Sequence, residues 1–219
     1  KVLDKLQIMK NKIDTTLAYR RTKAKQGIIL DADGTVIVNY NTRFGVQQQV
    51  IDFELATTTT DVAAKCQDVI DLIEDGLGQE VHSGIEVEVD RGFYDALIAH
   101  KNVREVFLNW SKGADVLASG NKSGFEFGGL KFIVNRQKIG TVPLIGVKEG
   151  HAYPLGTQDV FLNALAPADF TETVNTLALP YYASQEPLKH NRGFELHVQS
   201  NQLPIVAKPK ALVKVVSTK

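Results

Sequence analysis

The residues best placed by type to do chemistry lie between positions 28 and 36. Ile28-Ile29-Leu30 is apolar, Asp31 and Asp33 follow two apart, and Gly34-Thr35-Val36 turns the chain away. A carboxylate delivered at the end of an apolar strand can attack phosphorus and form an aspartyl-phosphate. A second carboxylate beside it can give and take the proton, and Mg²⁺ would offset the phosphate charge. Asp31 is then the candidate nucleophile and Asp33 the candidate acid and base.

This run resembles the first motif of haloacid-dehalogenase-type phosphatases. Three features favour a tight Asp-Gly turn instead. Strand character continues past Gly34 to Tyr40, as in a hairpin, and the motif follows a long amphipathic helix rather than opening a domain. No downstream acidic pair ends a second apolar strand to complete a Mg²⁺ site. Other candidates are weaker. Gly120-Asn121-Lys122-Ser123 lacks the Gly-Lys adjacency of a phosphate-binding loop. Of the five histidines, His82, His100, His151, His190 and His197, no two stand three or four apart, so no helix offers a metal-binding face. Cys66 shares a helical face with Val62, Val69, Ile70 and Ile73 and reads as packing, since nothing near it in sequence would lower its pKa. Phe93, Phe107 and Trp110 are spaced as core positions and not as a base-stacking platform.

The elements that must carry these residues read as follows. Val2, Leu6, Met9, Ile13 and Leu17 form one apolar stripe of a helix that ends near Gly27. A strand, an Asp-Gly turn and a second strand run to Tyr40. Residues 50–55 can add a short strand, and Thr60 or Asp61 caps a helix running to Gly76. Ile85, Val87 and Val89 alternate with Glu86, Glu88 and Asp90, a strand with one wet face. Asp90 caps a helix through Phe93, Leu97 and Ile98, and a second helical run passes Val103, Val106 and Phe107. Residues 113–124 are rich in Gly, Ser, Asn and Lys and read as a mobile loop. Phe125 to Val134 folds as a hairpin about Gly128-Gly129, with a third strand expected near 142–147. Five of the seven prolines follow residue 160, so that end reads as irregular or edge-strand structure, with strands at Phe194, Leu196, Val198 and at Leu212 to Val216. The fold class is α+β with mostly antiparallel strands, and a doubly wound sheet is disfavoured.

Composition narrows the partners. The 219 residues carry 25 Lys plus Arg against 25 Asp plus Glu. Such a balance lacks the cationic excess that drives binding to nucleic acid or an anionic membrane, so any contact with DNA is expected to be weak or indirect. One Cys excludes an internal disulfide framework and fits a reducing compartment. Apolar runs fall far short of the ~20 residues of a membrane-spanning helix. The first residues also lack the apolar stretch and cleavage site of a secretory signal.

Longer phrases carry a resemblance over roughly residues 20–216. Leu30-Asp31-Ala32-Asp33-Gly34-Thr35-Val36 leads into Phe44-Gly45-Val46. Then come Phe127-Gly128-Gly129-Leu130-Lys131-Phe132 and His151-Ala152-Tyr153-Pro154-Leu155-Gly156. Ala166-Pro167-Ala168-Asp169-Phe170, Val174-Asn175-Thr176-Leu177, Leu179-Pro180-Tyr181-Tyr182-Ala183 and Gln199-Ser200-Asn201-Gln202-Leu203-Pro204 complete the series. In order and spacing these resemble the major capsid protein E family of tailed phages. Ala178 departs from an expected Gly and Gln202 from an expected Pro, changes that bear on local turns.

The resemblance implies an HK97-type capsid fold and a structural, non-enzymatic subunit that assembles into pentamers and hexamers around double-stranded DNA, with no catalytic, cofactor-binding or metal residues. Residues 1–50 then hold the end of a spine helix and the first part of a peripheral domain. Residues 51–183 form an axial domain, and 184–219 the rest of the peripheral domain. The Asp31-Asp33 segment becomes a turn, and residues 113–124 a candidate for contact within a capsomer. A start at Lys1 is expected to be the edge of a longer chain whose arm and extended loop precede it, so the 219 residues are expected to fold without assembling shells. Implied partners are other copies of the subunit, a scaffold, a portal, a maturation protease, a decoration protein and, weakly, packaged DNA, with no membrane. The implied location is the virion, after assembly in the bacterial host cytoplasm. A phosphatase using Asp31 and Asp33 and a non-viral binding module are the alternatives.

Overall fold

The computed structural model describes residues 2–31, 33–111, 124–139 and 141–218. The striped first segment is a helix, α1 (Val2–Ala24). Its stripe sinks progressively: Val2 is exposed, Leu6, Met9 and Ile13 are half-buried, and Leu17 is buried. The helix stops at Gly27, whose φ of 79° suits a residue without a side chain, with its N–H donating to the Ala24 carbonyl at 2.8 Å.

The expected hairpin follows. Strand β1 (Ile28–Leu30) pairs antiparallel with β2 (Val36–Asn39), with a bulge after Ile29. Asn39 caps the short helix α2 (Tyr40–Phe44) by accepting from the Thr42 N–H at 3.1 Å.

The centre is a six-stranded sheet in the order β3 (Gln49–Asp52), β14 (Val213–Val216), β9 (Glu149–Leu155), β4 (Gly84–Val89), β6 (Leu130–Val134), β5 (Phe125–Phe127). Only the β3–β14 and β4–β6 pairs in it are parallel. Its front face presents Ile85, Val87, Val89, Phe132 and Val215 to α3 (Val62–Leu77) and α4 (Arg91–Ala99), forming one apolar core with Phe53 and Phe93. Phe53 meets Phe93 and Phe132 edge-on, at ring separations of 5.5 and 6.3 Å. Of the two candidates Thr60 and Asp61, Asp61 caps α3, and Asp90 caps α4 as the sequence predicts. Helix α5 (Lys101–Ser111) follows α4 and lays Phe107 edge-on to Phe125 at 5.2 Å. The side chain of Trp110 and the segment 112–123 lie outside the described residues, and so does the loop expected at 113–124 apart from Gly124.

Two expectations need correction. Gly76 does not end α3: the helix continues to Leu77, and Gly78, with φ 69°, is its cap. Gly76 is small for another reason, since a Cβ there would stand 2.6 Å from the backbone of Lys210 and Ala211. The strand expected near 142–147 is only β8 (Val142–Pro143), paired with β7 (Lys138–Ile139). The long strand is β9, which lacks alternation because residues 150–154 are all buried, covered on both faces. Its Pro154 lies beyond the stretch that β14 pairs.

The proline-rich end holds two antiparallel pairs: β10 (Phe161–Leu165) with β13 (Gln202–Val206), and β11 (Tyr182–Pro187) with β12 (Phe194–Gln199). A smaller apolar cluster of Ala24, Ile29, Tyr40, Tyr153, Val206 and Leu212 joins α1 and the hairpin to the back of the sheet. The last strand, β14, inserts between β3 and β9, so the central sheet uses both 49–52 and 213–216.

Candidate functional site

The two aspartates sit in the β1–β2 turn and are occupied by it. The Asp31 N–H donates to the Thr35 carbonyl at 2.8 Å, and its Oδ1 accepts from Arg20 Nη2 at 2.8 Å. Asp33 Oδ1 accepts from the Thr35 backbone N–H at 2.9 Å and its hydroxyl at 2.7 Å, which holds this carboxyl below the usual range. Among the described residues no group of three or more His, Cys, Asp or Glu could hold a metal. The geometry is that of a turn braced by its own carboxylates and one arginine, and it gives the phosphatase chemistry no support.

The remaining sequence candidates are dispersed. Cys66 is buried under the Gly128-Gly129 turn, where a Cβ on Gly128 would lie 3.0 Å from its sulfur, and burial pushes the thiol up to about 12. That makes it inert as a nucleophile near neutral pH. His82 faces Glu74 at 3.4 Å, His100 contacts the Thr57 carbonyl at 3.1 Å, and His197 lies 5.4 Å from the Phe170 ring. His190 is on the exposed turn between β11 and β12, and His151 is buried in the sheet.

The densest polar constellation is on the back of the sheet. Strand alternation sends Ile85, Val87 and Val89 forward, so Glu86 and Glu88 must point back, where β9 places Tyr153 opposite Glu86 and His151 opposite Glu88. The Tyr153 hydroxyl is shared by Glu86 and Glu88 and accepts from Lys25 Nζ at 2.9 Å; Lys25 also pairs with Glu88. Burial would raise the Glu88 carboxyl, but the Lys25 charge and hydrogen bonds from Lys25, Asn135 and Tyr153 outweigh it and hold it low. Tyr153 is pushed far up by burial and the two carboxylates. His151 lies in register between Glu88 and Lys214, which itself pairs with Glu149 at 2.6 Å. Burial, then the charges of Lys214 and Lys23, push its imidazole down to about 4, with Glu88 opposing. This layer ties the end of α1 to the sheet. A groove of about 470 Å³ opens beside it, lined by Arg21, Lys25, Glu86, Phe161 and Asn163 among others.

The outer surface is built differently. Residues 166–181 form an exposed but braced loop. Thr173 Oγ1 donates to the Ala168 and Phe170 carbonyls at 2.6 and 2.8 Å, and Thr176 Oγ1 to the Thr173 carbonyl at 2.8 Å. The Tyr182 hydroxyl accepts from the Leu179 N–H at 2.7 Å. Buried Gln202 anchors the loop: its Nε2 donates to the Pro180 carbonyl at 3.1 Å, while its Oε1 accepts from Asn163 at 3.0 Å and Arg21 at 3.4 Å. At this position a residue other than the expected Pro is what makes those bonds possible. The braced loop holds Val174, Leu177 and Leu179 in solvent. On the flanks of α1, where it rides over β11 and β12, two further apolar grooves open. Sequence patterning marks Val2 and Leu6 on the stripe of α1 and Phe194, Leu196 and Val198 on an alternating strand, but it does not single out Val174, Leu177 and Leu179, which are not spaced as a periodic face.

The chain is similar in sequence to known proteins. The family model described as phage major capsid protein E matches residues 1–217. The major capsid protein of Salmonella phage Felix O1 (isolate Felix O1-VT1) is 27% identical over 248 aligned residues, covering 96% of this chain and 66% of the relative. The chain thus spans just under two thirds of that relative's length. Among solved structures, a phage-related protein from Bordetella bronchiseptica RB50 aligns with a TM-score of 0.41 at 12% identity, covering 78% of this chain and 55% of its own. A virus-like particle from Pyrococcus furiosus aligns with a TM-score of 0.36 at 9% identity, covering 77% and 56%. At these TM-scores neither likeness decides anything about this chain.

Proposed function

The chain belongs to the phage major capsid protein E family, and from that premise we propose that it is a structural subunit of a phage or prophage icosahedral head, with no catalytic role. The family match over residues 1–217 is the observation that carries this reading. A shell subunit acts by repeated geometry, in which rings of five and six close through heterologous contacts. Each contact can be weak because closure multiplies it. Balanced charge suits hundreds of copies packed edge to edge, which would repel if each carried a large net charge.

In this reading the arrangement is HK97-type. Helix α1 is the end of the spine helix, residues 1–50 and 184–219 belong to the peripheral domain, and 51–183 to the axial domain, with β14 carrying the chain back into the central sheet. The proposed partners are other copies of the subunit, a scaffold, a portal, a maturation protease, a decoration protein and, weakly, the packaged double-stranded DNA. The proposed location is the virion, with assembly in the host cytoplasm. The test is electron microscopy of the complete head protein coexpressed with its scaffold. Closed particles are expected. Soluble protein without particles, or Mg²⁺-dependent turnover of a phosphomonoester that is lost in Asp31→Asn, overturns the reading.

A further inference from the structure

His151 sits in the middle of a row of side chains on the back of the central sheet. Strand register sets Val50, Lys214, His151, Glu88 and Ile133 side by side across β3, β14, β9, β4 and β6. Glu149, two residues away on the same strand, pairs with Lys214 at 2.6 Å. From the end of α1, Lys25 pairs with Glu88, and the charge of Lys23 reaches the imidazole. One row further along, Glu86 stands opposite Tyr153 and Lys131. With His151 neutral, the charges around it are Lys214, Lys23 and Lys25 against Glu88 and Glu149. A proton on the ring adds a fourth cation to this layer, on a side chain that is only 7% exposed.

The contact between this layer and the end of α1 is largely polar. Lys23 Nζ and Gln26 Nε2 both donate to the Leu144 carbonyl, at 2.8 and 2.9 Å, and Lys23 Nζ also donates to Gln26 Oε1 at 3.0 Å. Lys25 Nζ donates to the Tyr153 hydroxyl at 2.9 Å and lies 4.3 Å from the centre of its ring. Gln26, Leu144 and Ile145 are buried in this contact. Among the described residues, α1 itself places only Ala24 in the apolar cluster at the junction. Buried polar contacts of this kind respond to a charge set beneath them, because the low local dielectric screens it poorly. The front core under α3 and α4 is apolar and has no such dependence.

We propose that His151 is an acid-sensitive latch, whose protonation opens the contact of residues 23–27 and 144–145 with the back of the sheet and leaves the front core closed. In the closed form burial, then the charges of Lys214 and Lys23, keep the imidazole neutral down to about pH 4, whereas in water it titrates near 6.5. The open form therefore binds more protons between those values. Closure is at full strength above pH 6.5 and weakens as pH falls toward 4. Glu88 remains a carboxylate across that window. The Arg20 bond to Asp31 lies outside the layer, so the preceding part of α1 keeps its own anchor when the latch opens. The latch belongs to the single subunit and does not depend on the shell reading.

The experiment is amide hydrogen exchange on the complete protein near pH 7 and near pH 5, corrected for the intrinsic effect of pH on exchange. The opening constant at residues 23–27 and 144–145 is expected to rise about twentyfold between the two, the factor set by titration at 6.5 when open and about 4 when closed. Helix α3 and strand β6 are expected to hold their protection. Unchanged protection at 23–27, or an equal rise in α3 and β6, overturns the latch. His151→Gln removes the titrating ring and is expected to cancel the rise while keeping protection near pH 7. If that variant has already lost protection there, Lys214→Met decides. With one repelling charge gone and Glu149 released, the closed form accepts the proton more readily, and the rise is expected to shrink severalfold. A rise as large as in the wild type, in either variant, overturns the proposal.

Discussion

The central sheet and the β10–β13 and β11–β12 pairs use strands of similar length but bury them differently. In β4 every second side chain is buried, and in β9 residues 150–154 all are. In β10 four of five residues are exposed and β12 has no buried residue, although β13, which pairs with β10, buries every second side chain as β4 does. The sheet is completed by its own helices. The outer pairs carry a loop braced by hydrogen bonds that Gln202, Thr173 and Ser200 donate and the Tyr182 hydroxyl accepts, and they leave apolar side chains in solvent. Buried apolar contact is concentrated in one region and exposed apolar side chains in the other, so local opening should be easier in the outer pairs.

Four measurements can break or sharpen that contrast. Phe132→Ala, at a fully buried position against Phe53, is expected to cost about 3–5 kcal/mol in denaturant unfolding, a large share of a typical domain's stability. A cost below 1 kcal/mol would mean the sheet core is not where stability resides.

Acid should act on the same region through His151. Its imidazole is neutral when folded, pushed from 6.5 to about 4, while the unfolded chain takes the proton near 6.5. The unfolded state therefore binds more protons between those values. The stabilisation is intact above pH 6.5, fades as pH falls, and is gone below about 4, an effect of about 3 kcal/mol. Unfolding curves across that window should flatten in His151→Gln.

Gln202→Ala is expected to cost about 1–3 kcal/mol by leaving buried partners unpaired. Amide exchange should rise in residues 166–181 and β13 and not in β4 or β9; uniform acceleration would erase the proposed division of labour. The smallest effect belongs to Leu177→Ser, whose melting should stay within about 0.5 kcal/mol of wild type because the side chain touches little in its own subunit.

Much of the front half was legible from periodicity. The stripe of α1, the Asp61 and Asp90 caps and the alternation of Ile85, Val87 and Val89 each depend on near neighbours in sequence. Gly76 misled because a helix-ending glycine and a glycine that lets a backbone approach look alike until Lys210 and Ala211 are placed against it. Strand β9 was missed because burial on both faces removes alternation, and Pro154 argues against a strand unless it is known to pair on the β4 side alone. The Asp31-Asp33 motif was ambiguous in sequence, where two chemistries share one spelling, and the Arg20 and Thr35 contacts decide for the turn.

By itself the sequence determined the α+β class, the helix boundaries set by capping residues, the balanced charge and, through ordered phrases along its length, the family. Those depend on local chemistry or on composition. Only the tertiary structure decided that β14 returns to the centre of the sheet, that His151 is buried between lysines, and that Leu177 is braced outside while a groove stays open beside Phe194. Each of these joins residues far apart in the chain, and burial and field strength are properties of the space between them, not of their order.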